Sequence, residues 1–143
     1  MPASPKPEDV DTAREAVRMA SVVLGEIFAM DPAAFAKATR GAPSESLARQ
    51  ILVHVVNVAL AVPEEAIAEA IGRDVTTVMH SNRLIEEMRD RPDFDQALDW
   101  IGERLVEFTN FRQAYARGNQ KPAPAQSPRA EAGVSSKRSG TKR

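Results

Sequence analysis

Between Gly72 and His80 the chain reads GRDVTTVMH, a run of groups suited to reversible recognition rather than bond-making. The Arg73 guanidinium can donate to phosphate oxygens, and the Thr76 and Thr77 hydroxyls can both donate and accept. Asp74 can accept from a cytosine amino group, and Val75 can touch a thymine methyl. Asp74 has a second role open to it. Placed just before a helix, its carboxylate is expected to accept the free amides of Thr76 or Thr77 as an N-cap.

These residues need a scaffold, and the flanking pattern supplies one. Upstream, PEEAIAEAI over Pro63–Ile71 reads as a short helix with small residues on its buried side. Downstream, VTTVMHSNRLIEEMR from about Val75 to Arg89 reads as a longer one. Gly72 marks the end of the first, and Arg91-Pro92 ends the second. A short helix, a glycine turn and a longer helix opening with hydroxyls predict a helix-turn-helix whose core is Ile67, Ile71, Val78 and Ile85. Leu84 and Met88 continue the apolar face.

Elsewhere the apolar periodicity predicts four further helices. The first begins near Asp11 or Thr12 and carries Ala13, Ala16, Val17, Ala20, Val23, Leu24, Ile27 and Phe28 inward. Asp31-Pro32 opens a short second helix to about Thr39, anchored by Phe35. Ser44 caps a third, with Leu47, Ile51, Val55, Val58 and Ala59 inward. The last starts near Asp93 and presents Phe94, Leu98, Ile101, Leu105 and Phe108. The expected fold is all-α, a bundle of about six helices containing the helix-turn-helix. Residues 1–10 read as a flexible arm, 11–117 as one helical domain and 118–143 as a disordered tail rich in proline, serine and glycine.

Composition narrows the function classes. The chain has 143 residues and no cysteine, which excludes disulfides, thiolate metal sites and thiol nucleophiles. With two histidines, His54 and His80, no metal site and no cofactor is expected; His54 reads as a core or boundary residue. Acidic pairs occur in the series from Glu86 to Glu107, but no apolar cleft that would raise one pKa is visible, so no enzyme is expected. No apolar run approaches the roughly 18 residues of a membrane span, and MPASPKPEDV lacks the basic start and apolar core of a signal peptide. The net charge of -1 conceals two regions. Residues 118–143 hold six basic residues against one acidic, net +5, and residues 1–117 hold 13 against 19, net −6. Nucleic-acid-binding domains are usually basic, so the few arginines must gather on one face, or the partner is a protein.

GRDVTTVMHSNRLIEEM resembles the signature of the C-terminal DNA-binding domain of the bacterial replication initiator DnaA, which reads approximately GGRDHTTVLHACRKIEEL. Leu47-Ala48-Arg49-Gln50-Ile51 resembles the start of that family's third helix. Ile27-Phe28 and the short segment after Pro32 resemble its first two helices. The resemblance covers roughly Thr12 to Leu105 and implies a Trp-repressor-like, initiator-type fold. It implies base-edge contacts from Asp74, Thr76 and Thr77, with Val75 where the family carries a base-reading histidine. Backbone contacts are implied for Arg49, Arg73, His80 and Arg83, and for Arg40 with Lys37 in the loop KATRGAP, where the family is strongly basic. Leu84 replaces a usual lysine, and one glycine before Arg73 is missing. No GxxxxGK[ST] loop occurs, so the family's ATPase module has no counterpart in this chain.

The resemblance implies a double-stranded DNA-binding protein, acting at initiator-type sites in control of replication initiation or transcription. Such a protein is expected in the bacterial cytoplasm with the nucleoid, off the membrane, and monomeric in isolation. The alternative is a protein-interaction module of the same fold that binds the initiator or its regulators. A toxin–antitoxin or phage-type regulator is a third possibility.

Overall fold

The computed structural model describes residues 4–36 and 43–118. They form five α-helices and one 3₁₀ turn: α1 Pro7–Phe28, the turn Pro32–Ala36, α2 Pro43–Val58, α3 Glu64–Ile71, α4 Val75–Met88 and α5 Pro92–Gly118. The architecture is an all-α bundle with no strand among the described residues. The described residues fall into two units, one ending at Glu107 and the other beginning at Phe108. None of the described helices is long and apolar enough to cross a membrane.

Two boundaries differ from the sequence expectation. The first helix starts at Pro7, inside the segment read as a flexible arm, and buries Val10. Lys6 holds the extended N-cap conformation, Pro7 supplies a preset φ, and Glu8 and Asp9 sit against the positive end of the helix dipole. The expected second helix is a 3₁₀ turn as far as Ala36; the rest of its range lies outside the described residues. Five residues give little return on the cost of nucleating an α-helix. The turn is held by Asp31, whose carboxylate accepts from the Ala33 amide at 2.9 Å, and it seats Phe35 in the core at 5 % exposure.

The centre of the bundle is α2. Six consecutive residues, Ile51 to Val56, are buried, so this helix is enclosed on all sides. Ala13, Ala16 and Ala20 on α1 let that helix lie close to its neighbours. Val58, expected inward, is 53 % exposed at the end of α2. A helix enclosed in this way can keep polar side chains only if they are paired. Asn57 Nδ2 donates to the Val62 carbonyl at 2.8 Å, and its Oδ1 accepts from Asn82 Nδ2 of α4 at 3.2 Å. The same Asn82 nitrogen donates to Glu64 Oε2 of α3 at 2.6 Å.

His54, also on α2, is 1 % exposed. Arg89, at the C-cap of α4, reaches its Nε2 at 3.0 Å. Arginine only donates, so Nε2 accepts and the proton of the neutral ring sits on Nδ1. Arg89 also donates to Asp95 Oδ1 at 2.6 Å and to Asp99, both on α5. One guanidinium thereby ties α2, α4 and the first turns of α5. Burial holds the His54 pKa below its usual value, and the adjacent Arg89 charge pushes it the same way; Asn82 and Glu86 act in the opposite direction.

Two glycines are fixed by backbone geometry, for different reasons. Gly72 closes α3 in the left-handed region at φ 69°, with the Arg73 amide donating back to Ala68 at 2.9 Å. A Cβ there would meet no atom within 4 Å, so only the backbone conformation would resist it. Gly25 lies under the turn that ends α1, where a Cβ would stand 2.6 Å from the Met30 carbonyl oxygen.

Gly72→Ala is expected to cost about 1 kcal/mol, and Gly25→Ala roughly 1–3 kcal/mol because backbone must move. Urea unfolding of the two variants checks the order; equal losses would contradict it. A second expectation concerns pH. The folded chain resists protonation of His54 more than the unfolded chain does. Stability should therefore fall as pH drops below the unfolded value of about 6.5, and go on falling to the lowered folded value. His54→Gln keeps an acceptor for Arg89 but does not titrate. It should flatten the denaturation midpoint between pH 7 and pH 5, and an unchanged slope would refute the assignment.

Candidate nucleic-acid interface

The turn between α3 and α4 is three residues long, Gly72 to Asp74. Asp74 occupies the N-cap position with extended backbone at φ −68° and ψ 148°, and its carbonyl accepts from the Thr77 amide at 3.0 Å. Its side chain makes no cap hydrogen bond, contrary to the sequence expectation. The carboxylate is exposed, and a solvated anion gains little by bending back onto the amides. The first turn of α4 is thus uncapped by its own carboxylate, with the positive end of its dipole uncompensated there.

The rotation of α4 sorts its side chains. Val78 and Ile85 are fully buried, and Ser81 and Asn82 lie beside them. Ile67 of α3 is fully buried too, and Ile71 is half-buried. The solvent face carries Thr76, Met79, His80 and Arg83, which recur at three- and four-residue steps. Thr77 is exposed at the border of that face. Val75 is half-buried and packs against the core, so less of it is offered outward than the sequence suggested.

Four of the residues singled out from sequence converge on one groove. Arg49 from α2, Arg73 from the turn, and Thr77 and His80 from α4 line a depression of about 210 Å³. Its floor is apolar, with Phe35, Val53 and Val78, and Ser46, Gln50 and Ser81 add polar groups at its sides. The lining holds two arginines and, among the described residues, no carboxylate. In a domain of net −6 this is a local reversal of sign. Arg49 is steadied by donating from one guanidinium nitrogen to the Ala34 carbonyl at 3.4 Å, which links the groove to the 3₁₀ turn. Hydroxyls, amide and guanidinium donors around a concave apolar floor can hold an anionic backbone, with phosphate oxygens as the acceptors.

The remaining expected residues fall elsewhere. Asp74 lines a separate shallow depression with Glu69 and Gly72, which Arg73 and Thr77 also border. Thr76 and Arg83 stand on the solvent face of α4 rather than in the groove. Lys37 and Arg40 lie outside the described residues. Three polar residues of the groove were not picked out from sequence as contacts: Ser46, Gln50 and Ser81. Ser46, Gln50 and Val53 follow one face of α2 at helical spacing, a signal that was present but is indistinguishable from ordinary solvation until α4 is placed. Met79 is 44 % exposed beside Thr76 and Arg83, an apolar patch on an otherwise polar face.

No family model matches this chain, and neither the curated proteins nor the solved structures contain a match to it.

Proposed function

We propose that the chain is a DNA-binding protein that reads duplex DNA through a helix-turn-helix formed by α3, the Gly72–Asp74 turn and α4. The observation that carries this reading is the groove: Arg49, Arg73, Thr77 and His80, drawn from three elements, surround a carboxylate-free concavity at the exposed start of α4. In this reading α4 lies in the major groove, with Thr76, Thr77 and Met79 toward base edges and Met79 against a thymine methyl. Arg49, Arg73, His80 and Arg83 meet phosphates. The chemistry is non-covalent, and no cofactor takes part. The resemblance of GRDVTTVMHSNRLIEEM to the replication initiator's DNA-binding domain adds the biological setting, control of replication initiation or transcription on the nucleoid. The initiator-like bundle and its single, monomeric docking unit belong to the same proposal.

Electrostatics sets the terms of binding. The acidic residues of α5 repel phosphate, so approach is productive only with the arginine-bearing side forward. Residues 118–143, net +5, add attraction that carries no sequence information.

Fluorescence anisotropy on duplexes with and without initiator-type sites, at low and high salt, is the test. Affinity should fall steeply with salt. Arg73→Ala should weaken every duplex alike, by about tenfold, whereas Thr76→Ala should weaken preferred sequences more than random ones. Absence of salt-dependent binding, or indifference to Arg73→Ala, would overturn the proposal. Removing residues 118–143 should lower affinity markedly at low salt and little at high salt, independent of base sequence, with the thermal midpoint nearly unchanged. A clear drop in that midpoint would mean that the segment packs against the folded part.

A further inference from the structure

A different face of α2 borders a second opening, a cleft of about 470 Å³ between its C-terminal half and the first half of α5. The chain just past the end of α2 meets α5 here through small residues. A Cβ on Gly102 would lie 3.0 Å from that of Ala59. Beside this close approach the cleft widens between larger aliphatic side chains. Val55 and Leu98, each 2 % exposed, form its floor, and Val58, 53 % exposed, and Val106 form its lip.

Along the α5 side runs a row of carboxylates. Asp99, Glu103 and Glu107 line the cleft at four-residue spacing, with side chains 59 %, 69 % and 66 % exposed. Like charges so spaced disfavour the helix that carries them. Arg89 holds Asp99 from inside, and Arg104 reaches Glu107 at 2.9 Å and Glu103 at 4.0 Å. The two Arg104 pairs, whose carboxylates are exposed, are weak and exchange readily with other cations. The cleft therefore combines an apolar floor with a one-sided anionic rim. Phosphate-bearing ligands are repelled by that rim, and an uncharged apolar ligand makes no use of it.

We infer that this cleft receives a basic segment of another protein, seating an aliphatic side chain on Val55 and Leu98 while flanking lysines or arginines meet the Asp99, Glu103 and Glu107 carboxylates. Charge complementarity selects the partner, and the groove between two helices suits an amphipathic segment laid along it. The inference is independent of the nucleic-acid reading, because none of these valines or carboxylates lines the groove between α2 and α4.

The test titrates the full ¹⁵N-labelled chain with two short amphipathic peptides of equal length, one of leucine and lysine, the other of leucine and glutamate. The lysine peptide should shift the amides of Val58, Gly102 and Val106, and the glutamate peptide should not. Val58→Glu adds negative charge at an exposed position. Simple charge attraction would then strengthen binding, whereas loss of the apolar lip should weaken it by about tenfold. Glu103→Lys should weaken it as well, and DNA anisotropy of both variants separates this site from the groove. The inference fails if neither peptide shifts those amides, if both do so equally, or if Val58→Glu binds as tightly as the parent. A peptide of residues 119–143 that saturates the same amides at lower concentration would make the occupant the chain's own basic segment, and the assignment to another protein would fall.

Discussion

The rotation of α4 is set by two polar side chains of α2, the buried His54 and the half-buried Asn57. A polar atom left without a partner on an enclosed helix carries a large desolvation cost, one that His54 Nδ1 still bears. Asn57 is met by Asn82, and His54 by Arg89, both from α4. Asn82 and Arg89 are seven residues apart, two turns along one face, so the pair acts as two pins rather than one. With that face turned inward, Thr76, Met79, His80 and Arg83 have no orientation left except outward. The surface chemistry of α4 is thus decided in the interior, and the groove shared with Arg49 follows from the same register.

Much of this organisation is legible in the sequence. Gly72, the apolar run from Ile51 and the alternating pattern of α4 locate the central helices because each is a local signal, written within a few turns. Thr77 could be singled out in the same way, and Arg73, His80 and Arg49 through the resemblance to the initiator family. What is not legible depends on distance in the chain. His54 reads as an isolated core histidine until Arg89, 35 residues away, is placed against it. Arg89 in turn looks like one more charge in an acidic series. Val58 falls on the inward side of a helical pattern, yet α2 ends there and the packing ends with it. Asp74 has the residue type and the backbone of a cap but not the hydrogen bond, since cap preference says what a side chain can do and not what it does.

The charge distribution of the folded part gains meaning only from its arrangement. A net −6 argues against nucleic-acid binding when read as a sum. Placed in space, the carboxylates of α5 and the arginines beside α4 lie on different features, each with its own apolar floor. The sum hides this separation of sign between two surface features.

Arg89 has one further consequence, for mutational coupling. Asp95 and Asp99 are served by one guanidinium, which also contacts a buried imidazole. Removing either carboxylate leaves the other to hold the same cation in place. Removing both strands a half-buried positive charge against His54, with no acceptor on α5 to offset it. Losses at these two positions should compound rather than add, and the reserve lies in redundancy: each aspartate conceals the importance of the other.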